Sequence, residues 1–308
     1  MGAPVADAGR PAFLLVTNAR AGSAQRDTIV AVKSVLRSAA DVDEAVCGDA
    51  DDVGRILAQA GGRTPVIAGG DGSLHVTVNA LLESGLLEWE TPLGLVPMGT
   101  GNDFARCLGI PLDPVQAAAA LLRAVRDGSS RRLDLVTADD GSAVVNAAHA
   151  GVGADAAKAA GGLKPALGPA AYPVGAVVAG VRSTGWKLRV EVDGQVVADD
   201  DALLVGVANG TSIGGGTLLA PDADPGDGLL DVVVATSTGP LERMGFALDV
   251  RRGEHAERDD VVTARGRSVT VSGEEFGVNE DGEVLGPLTS RTWTMSPGAW
   301  SVWAPTPA

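Results

Sequence analysis

The chain is poor in most residues that advertise a chemistry. Aromatic side chains make up 3% of it, so its core must rest on valine, leucine, alanine and isoleucine. Its two cysteines, Cys47 and Cys107, lie far apart and form no CxxC pair. That argues against a disulfide framework or a zinc ribbon and fits a reducing cytoplasm. The three histidines, His75, His149 and His255, form no HxxxH pair. Basic residues are outnumbered: 24 Lys and Arg against 39 Asp and Glu leave a formal net charge of −15. A nucleic-acid binder would carry the opposite footprint. Long apolar runs are missing as well. The best candidate, VGAVVAGV at 174–181, runs straight into Arg182, far short of the ~18 apolar residues of a spanning helix. The first residues, MGAPVADAGRPAFLLV, have no basic segment ahead of an apolar one, so no signal peptide is expected. They begin Met-Gly, but Ala6 breaks the myristoylation pattern.

What remains is an ordinary globular composition with a surplus of one residue. Hydrophobic residues make up 45% and charged residues 20% of 308, a length that suggests about two domains. Glycine occurs 42 times, much of it in clusters, as expected where backbone must come close to something. The first part alternates strand-like and helix-like segments. AFLLVTN (12–18), PVIA (65–68) and LGLVP (93–97) are short apolar runs of the kind found in buried parallel strands. QRDTIVAVKSVLRSAA (25–40), DADDVGRILAQA (49–60), SLHVTVNALL (73–82) and DPVQAAAALLRAVRDG (113–128) have helical spacing. The last carries Asp113 at the N-cap, Pro114 at the first helical position and Gly128 beyond the end. Near residue 131 the pattern changes. Hairpin signals at Asp139-Asp140-Gly141 and Asp193-Gly194, and strand-like runs at 229–236 and 268–273, predict a mostly antiparallel β half. A helix-like stretch at 240–253 interrupts it. The expected architecture is an N-terminal α/β three-layer domain with a mostly parallel sheet, residues 1–133, followed by a mostly antiparallel β-sandwich domain, residues 134–294. The strand-like tail, 295–308, is a candidate to complete the first domain.

Two glycine clusters stand at strand–helix junctions: GGDGS at 69–73 and GTGND at 99–103. Converging backbone N–H groups and a helix N-terminus make a phosphate cradle, and two such loops at strand ends can face one crevice. The bland alternative is a pair of tight turns. Neither cluster is a dinucleotide fingerprint, because Phe104 and His75 fall where the third glycine belongs. There is no P-loop run and no protein-kinase HRD or DFG set. PDADPGDG adds Asp222, Asp224 and Asp227 in one loop, hard oxygen donors suited to a hard cation.

GGDGS followed by LHVTVNALL, then PLGLVPMGTGNDFARCLGIP, resembles the catalytic domain of diacylglycerol kinases, and more narrowly the soluble bacterial lipid kinases of that family. VNAAHAGVGADA (145–156), LGPAAYPVGA (167–176), VANGTSIGGGTLLAPDADPGDGLLDV (207–232) and VNEDGE (278–283) resemble family segments in the same order. GGDG alone is shared with NAD kinases; GTGNDFAR is the more specific piece. The resemblance implies a nucleotide domain and a β-rich lipid domain with the active site in the cleft. It also implies transfer of the γ-phosphoryl of ATP to a lipid hydroxyl with Mg²⁺. Carried onto this chain, it makes Gly69, Gly70, Gly72 and Ser73 line the phosphates. Gly99, Thr100, Gly101 and Asn102 hold the nucleotide from the second loop, and Asn18 sits at the first-strand loop near Gly22. Asp71 acts through Mg²⁺, Asp227 and Asp224 are metal ligands, and Glu283 is the general base, its pKa raised by burial beside phosphates.

Four positions depart from the family pattern: Ser73 for Thr, Val76 for Glu, Ala19 where Pro follows the asparagine, and Ala80 for Gly. Diacylglycerol is the first substrate expected. A sphingoid base or phosphatidylglycerol, and a regulator that lost turnover, are the alternatives. On the lipid side, Tyr172 with the helix around 169–181, and Arg20, Arg26, Arg106, Arg123, Arg126, Arg131 and Arg132 as a basic patch, are candidates for the membrane contact. Core packing and dispersed solvation are the competing readings. The protein is expected to be cytoplasmic and peripherally membrane-associated, without nucleic acid and without a transmembrane segment. A homodimer is left open.

Overall fold

The computed structural model describes residues 10–19, 23–48, 50–151, 185–236 and 239–305. Gly22, Arg20, Tyr172 and the helix expected around 169–181 lie outside them. The chain divides into two compact units, Met1–Leu133 with Trp300–Ala308, and Asp134–Ala299.

The first unit is built on four parallel strands in the order β2-β1-β3-β4: β1 Ala12–Asn18, β2 Asp41–Cys47, β3 Thr64–Gly69 and β4 Gly94–Pro97. Helices α1 Ser23–Arg37, α2 Ala50–Ala58, α3 Asp71–Glu83, α4 Asp103–Cys107 and α5 Pro114–Asp127 connect and cover them. The caps of α5 are local and fall where the residue types put them. The Asp113 carboxylate accepts the Gln116 N–H at 2.8 Å, Pro114 follows, and Gly128 closes the helix at φ 66°. No strand is expected from the pattern of 41–47, yet β2 is there. As an edge strand it buries only Val42 and Cys47, and Asp41, Asp43 and Glu44 stay exposed. Charge along an open edge discourages pairing with another chain. The chain's end returns to this unit: Leu93 bridges Val302 in parallel, Leu93 N–H donates to Ser301 and Trp303 N–H to Leu93.

The second unit is antiparallel. Its strands are β5 Ser130–Ala138, which begins in the first unit, β6 Ala143–Val144, β7 Ala147–Gly151, β8 Trp186–Val192, β9 Gln195–Ala202, β10 Leu204–Ala208, β13 Leu230–Ala235, β14 Val261–Gly266, β15 Ser268–Glu280 and β16 Glu283–Trp303. The path runs β14-β13-β10-β7-β15-β16-β5-β6, and β8 pairs with β15 and β9. A small ribbon, β11 Ser212–Ile213 with β12 Thr217–Leu218, lies apart, and α6 is Pro240–Arg252. Asp193-Gly194 and Asp281-Gly282 are two-residue hairpin turns with positive φ at both positions, 50° and 77°, then 50° and 103°. Such turns match the strand twist, and that is why Asp-Gly marks them in sequence. One face packs Val190, Val205, Val207, Val232, Val271 and Trp293. The other packs Leu204, Leu219, Val233 and Phe246.

His149, in β7, is buried within this unit. Burial pushes its pKa down to about 4, and a backbone hydrogen bond offsets only part of that. The folded-state value lies below the unfolded one, so His149 costs nothing above the unfolded pKa of ~6.5. Stability is lost as pH falls through 6.5 towards about 4, because the unfolded chain takes up the proton first. The loss should reach roughly 3 kcal/mol at the bottom of that window. Urea melts at pH 7 and pH 4.5 should therefore lie closer together for His149→Gln than for the wild type. An unchanged gap would contradict the assignment.

Candidate active site

The first unit presses its two glycine loops against each other. β3 ends at Gly69 and α3 starts at Asp71, so Gly70 alone separates them and Asp71, Gly72 and Ser73 form the first helical turn. This corrects the expectation that GGDG is a loop. The second connection, residues 98–102, leads from β4 into α4. A Cβ on Gly70 would stand 2.9 Å from Gly99 Cα, and one on Gly99 2.6 Å from Gly70 Cα. Met98 N–H donates to the Gly69 carbonyl at 2.9 Å. Of the two reasons for a glycine in such a loop, positive φ and the close approach expected from the clustering, only the second operates here. None of Gly69, Gly70, Gly72, Gly99 or Gly101 has positive φ; Asn102 does, at 54°. Gly70 and Gly99 are required by close approach of backbone to backbone.

Asn102 closes the second loop on itself. Its Oδ1 accepts the Gly99 N–H and its Nδ2 donates to the Gly99 carbonyl, both at 2.9 Å. The half-buried Asp71 carboxylate accepts the N–H groups of Asp103 and Phe104, each at 3.1 Å. Phe104 stacks on Trp300 with ring centroids 5.9 Å apart, which fixes α4 from behind. Asp103 is itself buried, a carboxylate the motif search passed over.

Beside these loops is a cavity of 310 Å³ at the C-terminal ends of β1, β2 and β3. Asn18, Cys47, Gly72, Ser73, Val76 and Thr77 are among its walls. Asn18, Gly72 and Ser73 are thus brought to one space, and Val76 gives it an apolar wall where the family has a carboxylate. Gly72 is exposed, has ordinary φ, and a Cβ added to it would meet nothing within 4 Å. Among the described residues nothing requires a glycine there. Ala80, another departure, packs against Gly54: a Cβ on Gly54 would lie 3.8 Å from the Ala80 methyl.

The arginines proposed as a patch are spread over α1, α4, α5 and β5. Arg126 pairs with Asp127, Arg106 donates to the Gly101 carbonyl, and Arg132 lies 4.2 Å over the Trp89 ring.

In the second unit Asp224 and Asp227 share the predicted loop. Asp224 accepts the Gly226 N–H at 3.1 Å, and Asp227 accepts that of Leu229 at 3.0 Å and pairs with Arg265. Asp231 is close by, 3.0 Å from the same guanidinium. Burial, then repulsion from Asp227 and Asp222, raises the Asp231 pKa in spite of Arg265. Added positive charge would relieve that repulsion, and one or two carboxylates with water and phosphate oxygens are what Mg²⁺ takes. The donor set therefore fits Mg²⁺, with Arg265 as competitor for Asp227. Among the described residues no three His, Cys, Asp or Glu side chains gather into a ready metal cage.

Glu283 opens β16 and is exposed. Its neighbours in EDGE are structural. The Asp281 carboxylate accepts the N–H groups of Val145, Asn146 and Ala147 at 2.6, 2.9 and 3.1 Å. Glu280 is buried against the Arg291 guanidinium, at 2.9 and 2.8 Å, and accepts the Trp293 indole N–H at 2.7 Å. Asp134, also buried, accepts the N–H groups of Gly228 and Gly298, both at 2.7 Å. None of these three carboxylates stood out in the sequence; the Asp-Gly turn was the one available hint, for Asp281.

The first unit thus joins two glycine loops where adjacent parallel strands give way to helices. Comparison makes this specific. The diacylglycerol kinase catalytic domain family matches residues 12–138, and the YegS C-terminal NAD kinase beta sandwich-like domain family matches residues 146–304. A diacylglycerol kinase of Mycobacterium tuberculosis is 31% identical over 277 residues, covering 88% of this chain and 87% of that one. A Pseudomonas aeruginosa protein named YegS-like lipid kinase is 35% identical over 270 residues, covering 84% and 82%. The crystal structure of a diacylglycerol kinase from Bacillus anthracis str. Sterne shares the fold, with a TM-score of 0.71 at 22% identity over 96% of this chain and 97% of that one. The chain belongs to the diacylglycerol kinase family of lipid kinases.

The Glu280–Arg291 pair supplies a stability test. Arg291→Met would leave a buried carboxylate uncompensated and should cost about 3–5 kcal/mol in denaturant melts. Glu280→Leu combined with Arg291→Met should recover much of that loss. A single mutant as stable as wild type would show that the pair contributes nothing.

Proposed function

We propose that this kinase transfers the γ-phosphoryl of ATP to the hydroxyl of a lipid, most directly diacylglycerol, giving phosphatidic acid. The supporting observation is Gly72. Glycine in the first turn of a helix costs stability relative to alanine, and no neighbour among the described residues explains it. A phosphate that must reach the first-turn N–H groups of α3 does explain it, and the uncapped start of that helix supplies the favourable dipole. Gly69, Gly70 and Ser73 line the same approach, with Gly99, Thr100 and Gly101 on the second loop. Asn18 stands at the cavity that would take the remainder of the nucleotide.

Phosphoryl transfer asks for in-line positioning, neutralised charge and a place for the hydroxyl proton. Mg²⁺, when bound, neutralises phosphate charge, and Asp224 and Asp227 are its proposed holders. Glu283 is the proposed proton acceptor. No helix among the described residues is long and apolar enough to cross a membrane. The proposed route to lipid is peripheral contact with the membrane surface from the cytoplasm.

Labelled ATP, Mg²⁺ and mixed micelles of diacylglycerol, a sphingoid base or phosphatidylglycerol test the substrate. Label is expected in phosphatidic acid; label only in another lipid moves the acceptor, and ATP binding without transfer favours a regulator. Gly72→Ala is expected to leave thermal stability unchanged or raised by ~0.5–1 kcal/mol while the KM for ATP rises about tenfold or more. An unaltered KM would remove the phosphate from α3. Glu283→Ala should abolish transfer with the fold intact, and near-wild-type turnover would discard it as the base.

A further inference from the structure

The start of α4 raises a problem of unmatched donors. The first N–H groups of any helix have no partner inside it. Asn102, at the N-cap of α4, provides no side-chain cap, because its amide is closed on Gly99. The donors turn instead to Asp71, 32 and 33 residues earlier in the chain, with one carboxylate oxygen for Asp103 and the other for Phe104. A negative charge at a helix N-terminus is stabilised there. Around Gly70 and Gly99 no side chain stands between the two segments, so their spacing has to be set from the flanks. Met98 N–H to Gly69 holds one side, and Asp71 holds the other.

We propose that Asp71 is a positioning residue, a carboxylate clamp that locks the second glycine loop and α4 against the first turn of α3. It acts on the nucleotide through the shape of the joined loops rather than as a direct Mg²⁺ ligand. The proposal rests on the nucleotide-binding reading above and departs from the metal role that the family resemblance implies. Two backbone N–H groups at fixed positions demand two oxygens on one short side chain. Asparagine offers one oxygen and sets an N–H against the other donor. Glutamate keeps the charge and the capacity to bind a metal, but its extra methylene moves both oxygens off the pair.

The test compares wild type, Asp71→Asn and Asp71→Glu by amide hydrogen exchange over residues 98–108 and by calorimetric ADP affinity, first in EDTA and then with Mg²⁺. The clamp predicts faster exchange at 102–106 in both variants without ligand. It also predicts ADP affinity in EDTA weaker by on the order of tenfold, with the ratio of affinities with and without Mg²⁺ kept at the wild-type value. Wild-type exchange and EDTA affinity, with the Mg²⁺ gain lost in Asn and partly kept in Glu, would overturn it. If wild type binds no ADP at all, the nucleotide reading falls and exchange alone decides the clamp. Should one variant fail to fold in a thermal melt, the other carries the same pair of outcomes.

Discussion

Two backbones meet at Gly70 and Gly99 with no side chain between them, and the first unit is arranged so that they can. β3 and β4 are adjacent and parallel, with Gly69 in register with Pro97, so both chains leave the sheet at one level. One residue then leads into α3 and five into α4. A methyl group at either glycine would push the helix starts apart, because backbone cannot move aside as a flexible side chain does. Asn102 accepts a left-handed backbone so that the second loop can fold tightly, and the stacked Phe104 and Trp300 rings keep α4 where the contact needs it.

The same physical device recurs in both units. A short carboxylate takes backbone N–H groups from a distant part of the chain and fixes a turn that has no ladder of its own. Asp71 does this for α4, Asp134 for Gly228 and Gly298, and Asp281 for the strand entry at 145–147. Charge-assisted bonds of this kind are about twice as strong as neutral ones. They set loop geometry without adding side-chain bulk.

How much of this could be read from the residues depends on how far each cause lies from its effect. The caps of α5 were legible because Asp113, Pro114 and Gly128 act within one helix. The Asp-Gly hairpins were legible for the same reason. β2 was not, because an edge strand with two buried side chains carries little alternation. The glycine loops were visible as a motif, and close approach of backbone was the expected cause; what stayed hidden was the partner, another loop about 30 residues on, because spacing along one segment carries no trace of it. Within EDGE the two glutamates look alike in sequence. Only the fold separates Glu280, bound to Arg291 and Trp293, from the exposed Glu283. The partners of Asp134 and Asp281 were hidden for a further reason, since they lie 94 to 164 residues away.

β16 ends in the first unit, where Trp300 and Val302 are buried among residues of the opening third of the chain. The first unit is therefore built from two stretches of chain with the whole of the second unit between them. Until residues 300–303 emerge, α4 lacks its stacking partner and Leu93, just ahead of β4, lacks its bridge to Val302. During synthesis the first unit must wait, incompletely packed, while the second is made. A fragment cut at residue 133 would be permanently in that waiting state.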